Sequence, residues 1–296
     1  MLHRLRLRQP FALVLGLWLA TLACATHAAS AEQKGLLWKI ERDGVKPSFL
    51  LGTMHSEDAR VLKVAPEVQR AFDASASFTM EVVLDAQTIA ETAQAMVFSD
   101  GRDLKTVLGS ELYNKIVPLM AQHGVPEMVL PIYKPWAIFL TLSMPPAKTG
   151  VFLDAALYDA ALAQKKAVHG LETVQEQLSI FDRMTVEEQS QLVADAVKHS
   201  GELKAVFEEM IGIYLKRDLP GLQALNDKYT SSDDSKLEQK LMAELIDVRN
   251  LRMVERMAPR LKEGKAFVAV GALHLPGDHG LLRLLEKQGY RVSAVY

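Results

Sequence analysis

Residues 265–275 read KAFVAVGALHL, an apolar run without polar alternation. A strand buried on both faces has this composition. Both faces of a sheet are covered where helices flank it, so the run points to an α/β layer architecture. At the opposite end of the chain, LLWKIER (36–42) alternates apolar and polar residues, Asp43-Gly44 follows, and SFLLGTMH (48–55) resumes an apolar pattern. Strand, two-residue turn and strand predict a hairpin. A further strand is expected within ASFTMEVVL (76–84), after a short helix from Pro66 to Ala74, where proline suits the first turn.

Residues 86–228 read mostly as helix, with apolar residues at three- and four-residue spacing. The Pro145-Pro146 pair interrupts them, and KKAVHG (165–170) reads as a short strand. Thr173 with Glu176 and Thr185 with Glu188 predict capping boxes at two helix starts. A long helix is expected over 234–263, then a short one ending at Gly289 and a closing strand in RVSAVY. The expected fold is α/β: a central mixed sheet built from both chain ends, with a large helical insertion, in one domain over residues 30–296.

Nearly half of the 296 residues are apolar (49%), enough to fill a core, which excludes disordered and collagen-like classes. A net charge of −2 supplies no basic stripe to replace phosphate counterions, so no nucleic-acid partner is expected. One cysteine excludes an internal disulfide framework and a cysteine-rich zinc site.

Residues 1–29 are expected to be a signal peptide. Arg4, Arg6 and Arg8 precede an apolar stretch from Phe11 to Cys24, and the small residues of ATHAASA follow. That stretch is shorter than the roughly 20 residues a membrane span needs. Cleavage after Ala28, Ala29 or Ala31 fits, giving an exported, periplasmic or secreted protein without a membrane span. Cys24 offers an alternative as a lipidated cysteine, but Leu22 stands one position away from where such a signal wants it.

The strongest internal echo is an apolar strand followed by Gly-x-x-His: Gly52 to His55, and Gly271 to His274. Ligand sites in open α/β sheets lie at the carboxyl ends of strands, so parallel neighbouring strands would aim both imidazoles into one cleft. Two imidazoles and a carboxylate would make a divalent-metal site. Glu81 is the candidate carboxylate, because it interrupts an apolar strand and a buried carboxylate needs a partner. Taken singly, each histidine is equally a hydrogen-bonded strand-end residue, and Glu81 equally a surface or ion-paired one. Glu172 stands at a strand-to-helix turn, and Asp154 is a similarly ambiguous helix-start acid; either could simply favour a helix dipole. His169 reads as a packed strand residue and His279 as an exposed loop residue. Arg249, Arg252, Arg256 and Arg260 share one helical stripe, by default a solvated basic face. Arg249 and Asn250 could instead reach the cleft and neutralise a substrate oxyanion. No nucleophile elbow, phosphate loop or His-Glu-x-x-His helix is present.

These stretches resemble the TraB/GumN family, the group that also contains the Tiki metalloproteases. The matching segments are LLWKIERDGVKPSFLLGTMHSED, FTMEVVLD, GVFLDAALYDAALAQKKAVHGLETVQEQLSIFD, VRNLRMVERM and FVAVGALHLPGDHGLLRLLEKQGYRV. The resemblance implies a mixed sheet with flanking helices, related to erythromycin-esterase-like and ChaN-like proteins. For the Tiki branch it implies metal-dependent peptide-bond hydrolysis. The combined expectation is an exported metal-dependent hydrolase of peptide or protein substrates. His55, His274 and Glu81 would hold Zn, Mn or Co. Glu81 and Glu172 would divide the ligand, base and orienting roles, and Arg249 and Asn250 would assist. The alternatives are a haem-, metal- or peptide-binding protein without turnover, and a metal-free esterase with His55 as base.

Overall fold

The computed structural model describes residues 34–230 and 236–296. The expected signal peptide and Cys24 lie outside the described residues. Among the described residues, no helix is long and apolar enough to cross a membrane.

The described strands are β1 (Leu37–Glu41), β2 (Ser48–Thr53), β3 (Ser77–Met80), β4 (Ala167–Gly170), β5 (Ala266–Gly271) and β6 (Arg291–Ala294). They form one sheet in the order β4-β3-β5-β2-β1-β6. β1 runs antiparallel to β2 and β6, while β4, β3, β5 and β2 run parallel to one another. The sheet is therefore mixed and takes strands from both chain ends, as expected, plus β4 from the helical middle. β5 lies at the centre of the parallel half. Its residues Ala266 to Val270 are all 0% exposed, which is why the run carries no polar alternation.

Two local expectations need correction. The β1–β2 connection runs over residues 42–47 and is not a two-residue turn. Its extra residues pack on the start of β5: Lys265 donates its N–H to the Pro47 carbonyl at 3.2 Å, and a Cβ on Gly264 would stand 2.6 Å from the Lys46 carbonyl oxygen. Second, β3 stops at Met80, so Glu81 follows the strand instead of interrupting it. The Glu81 carbonyl accepts the N–H groups of Leu171 (3.0 Å) and Glu172 (2.8 Å), which ends the ladder there.

Helices cover the sheet and build the middle segment. Phe72 of the Pro66–Ala74 helix packs edge-on against Phe78 and Phe267, tying that helix to β3 and β5. The middle segment has apolar clusters of its own, one around Leu104, Ile116, Met120 and Val193 and another around Trp136 and Phe181. Both capping boxes form as expected. The long helix comprises Lys236–Ala243, a π-helical turn over Glu244–Val248, and Arg249–Glu263. The π turn shifts the side-chain register immediately before Arg249.

Candidate functional site

The parallel strands deliver four of the expected residues to one edge of the sheet. Thr53 of β2 pairs with Gly271 of β5, so His55 and His274 leave neighbouring strands at the same end. Met80 pairs with Gly170, which sets Glu81 and Glu172 beyond the ends of β3 and β4 on that same edge. The glycines permit close packing here. A Cβ on Gly52 would lie 2.8 Å from a Leu275 methyl and 3.1 Å from the Ala272 Cα, so the turn carrying His274 rests directly on β2.

Glu81 is held from several sides. One carboxylate oxygen accepts the Gly271 N–H at 2.8 Å; the other takes Arg249 Nη2 and, at 3.2 Å, Gln177 Nε2. Burial pushes this carboxyl up, but His274, Arg249 and the Gly271 N–H more than offset it and hold the pKa at about 2. Glu172 is buried and accepts from Arg249 Nε and Arg252 Nη1, each at 2.8 Å, and from Gln177 at 3.2 Å. Arg249 therefore bridges two carboxylates and also donates to the Leu245 carbonyl in the π turn at 3.1 Å.

His274 is 4% exposed, and Asn250 is 0% exposed. Asn250 Nδ2 donates to the His279 carbonyl at 2.9 Å, which turns Oδ1 toward His274 Nδ1 at 2.7 Å. A carbonyl oxygen only accepts, so Nδ1 carries the proton and the Nε2 lone pair is free. Nε2 lies 3.7 Å from Glu81 Oε1. Burial lowers the His274 pKa to about 4, against the pull of Glu81, so the imidazole is neutral at pH 7. Arg249 and the Gly271 N–H then remain to stabilise ionised Glu81 at that pH.

His55 is exposed and stacks on Phe152 with ring centroids 3.5 Å apart. Its pKa is lowered by desolvation, which Glu81 opposes. Nearby, Thr53 Oγ1 donates to Asp154 Oδ1 at 2.7 Å. Sequence reasoning left Asp154 as an ambiguous helix-start acid and did not single out Thr53, Phe152 or Gln177. A signal existed for Thr53, since the second motif has Ala272 at the equivalent position. Gln177 had none, because the fold alone brings it between two carboxylates.

The arginine stripe is solvated only in part: Arg249 is buried, Arg252 and Arg260 are half-buried and Arg256 is exposed. Arg249 and Arg252 are committed to Glu172, Arg256 to Glu176 and the Leu171 carbonyl, and Arg260 contacts His169 Nε2 at 3.3 Å. His169 is thus a packed, hydrogen-bonded strand residue, and His279 is exposed in its loop.

The sequence model of the TraB/PrgY/gumN family matches residues 36–294, nearly all of the described chain. The chain belongs to the TraB/PrgY/gumN family. Curated relatives of this family member include Metalloprotease TIKI1 of Danio rerio, 27% identical over 91% of this chain and 65% of the relative. Metalloprotease TIKI2 of Xenopus tropicalis is 26% identical over 91% and 61%, and Metalloprotease TIKI1 of Homo sapiens 25% over 92% and 64%. The chain spans less than two thirds of the length of these relatives. No solved structure matches it.

A metal is implied by the relatives' printed names, and His274 offers one donor of suitable chemistry. Its Nδ1–H is fixed by Asn250 and its Nε2 is free beside a carboxylate, the arrangement that orients a ligating imidazole. Among the described residues, no group of three His, Cys, Asp or Glu side chains stands in a ligating arrangement. Glu81 Oε2 accepts from Arg249 and Gln177, while Oε1, 3.7 Å from His274 Nε2, accepts of the described residues only the Gly271 N–H and keeps a lone pair.

Proposed function

We propose that the chain is a metal-dependent hydrolase of peptide bonds. The observation that carries this reading is the Asn250–His274 pair, which leaves a neutral, oriented Nε2 at the carboxyl edge of the sheet. His274 and His55 would hold a divalent cation such as Zn, Mn or Co, with Glu81 as the carboxylate ligand. When bound, such an ion polarises a scissile carbonyl and acidifies water. Glu81 fits a ligand role better than a base role, because a group with a pKa of about 2 takes up a proton poorly at neutral pH. Arg249 would anchor Glu81, and Glu172 with Arg252 would anchor Arg249. Asn250 uses both amide atoms on protein partners, which supports a positioning role over contact with substrate.

The substrate class, a peptide or protein, is proposed from the relatives named metalloproteases. Export through cleavage of residues 1–29 is proposed from the sequence pattern of that segment. Mass spectrometry of the exported protein should find an N-terminus between Ala29 and Glu32; a start at Met1 or a lipid on Cys24 would contradict it. Elemental analysis tests the site itself. The protein purified from zinc- and manganese-supplemented medium should retain about one divalent ion per chain, and His274→Ala and His55→Ala should each lose it. Peptide cleavage should stop with a chelator and return with added metal. Full cleavage in a metal-free protein would refute the reading.

A further inference from the structure

Two contacts link the loop after β2 to the start of the Leu153–Ala163 helix. The His55 ring stacks on Phe152, and two residues away on each segment Thr53 donates to Asp154. The pairing carries Asp154 to the cleft edge that holds His55. Thr53 is 2% exposed, so the hydroxyl that fixes Asp154 is itself fixed by the sheet. Of the carboxylates gathered there, Glu81 and Glu172 are ion-paired with arginines. Among the described residues, no Lys, Arg or His forms an ion pair with Asp154.

We propose that Asp154 is the proton-transferring carboxylate of this cleft, fixed by Thr53 and kept free of cationic partners so that it can both accept and return a proton. This rests on the peptide-hydrolase reading above. Asp154 takes one proton from a water molecule as the water oxygen bonds to the scissile carbonyl carbon. The carbon–nitrogen bond then breaks with its electron pair going to nitrogen, and Asp154 delivers the proton to the departing amine. The electrostatics suit the task. Burial raises the Asp154 pKa, the Thr53 hydrogen bond opposes this and Glu81 adds to it, for a value of about 6 in the metal-free protein, which a divalent ion on Glu81 would lower. A base poised near the working pH transfers protons best. The groups facing Asp154 are Glu81, Thr53 and Tyr214, whose own hydroxyl is pushed up by burial and by Asp154 while it donates to the Gly52 carbonyl.

The test uses the full chain with Asp154→Asn, Thr53→Val and Thr53→Ser variants and three measurements: metal content, peptide hydrolysis against pH, and carboxyl-carbon NMR titration of the metal-free protein. Asp154→Asn should keep the wild-type metal content while kcat falls by roughly 10²–10⁴-fold. Thr53→Val should move the acidic limb of kcat/KM and the Asp154 NMR midpoint to higher pH, and Thr53→Ser should restore both. Loss of metal from Asp154→Asn would make Asp154 a ligand and overturn the proposal, as would an unchanged kcat. If the wild-type chain cleaves no peptide, the peptide-hydrolase reading fails separately. The titration then decides alone: a midpoint near 6 that rises in Thr53→Val supports a proton-holding Asp154, and a midpoint at the ordinary carboxylate value of roughly 3.9 overturns it.

Discussion

Asn250 Oδ1 accepts a hydrogen bond from His274 Nδ1 at 2.7 Å, and the same amide donates to the His279 carbonyl at 2.9 Å. One fully buried side chain therefore determines which imidazole nitrogen faces the cleft and anchors the loop that follows. A ring free to flip would present either nitrogen; this one presents Nε2.

Replacing Asn250 by leucine keeps the volume but abandons both partners. Leaving the buried His274 Nδ1–H unsatisfied costs about 1–3 kcal/mol, while the carbonyl of exposed His279 can turn to water. Second-sphere losses of this kind weaken metal binding by roughly 10–100-fold. Urea unfolding and a competitive zinc titration would measure the two effects. Unchanged metal affinity would show that the His274 tautomer is set without Asn250.

Arg249→Leu should rank among the most damaging substitutions. It strips the cation from Glu81 and one of two cations from buried Glu172. Breaking a buried pair from one side costs about 3–5 kcal/mol, with Arg252 keeping the loss toward the lower end. A urea-unfolding loss below about 1 kcal/mol would mean that water already screens the cluster.

Stability against pH should separate His274 from Asp154 in chelator-treated protein. The folded His274 pKa of about 4 lies below the ordinary histidine value of 6.5, so between these values the unfolded chain binds more protons. That contribution is present above pH 6.5 and is lost as pH falls toward 4. Asp154 works in the opposite sense: its folded pKa of about 6 lies above 3.8, so its contribution is lost as pH rises through that window. The two offset between about pH 4 and 6. Asp154→Asn should therefore steepen the loss of stability on acidification there, and His274→Gln should flatten or reverse it. Parallel profiles for both variants and wild type would contradict these shifts. Below about pH 4.5, protonation of Glu81 adds a further loss that continues toward its folded pKa of about 2.

Gly52→Ala tests how tightly the two motifs pack. The added Cβ would stand 2.8 Å from Leu275 and 3.1 Å from the Ala272 backbone. Something must shift, and overpacking of this kind costs about 1–3 kcal/mol. The turn that must move carries His274, so metal affinity should fall together with the melting temperature. A variant with wild-type stability would show that this turn is pliable.

The sequence by itself determined the elements and their order. The apolar run at 265–275 pointed to a doubly covered strand, which forms over Ala266–Gly271, the Thr173 and Thr185 boxes announced two helix starts, and the repeated Gly-x-x-His marked two strand ends. These signals are local, because they depend on side-chain periodicity and on backbone groups a few residues away. The tertiary structure decided what those ends face. No local pattern states that β5 slots between β3 and β2, yet that placement brings Glu81 within 3.7 Å of His274. The arginine stripe looked solvated because helical spacing reveals which residues share a face but not what lies opposite. Here the opposite surface is the exit of β4 with Glu172. Asp154 and Glu172 looked alike as helix-start acids, and only packing separated them: one acquired two arginines, the other a threonine hydroxyl. A carboxylate's chemistry is set by the charges within a few ångströms of it, and in this chain those charges come from segments remote in sequence.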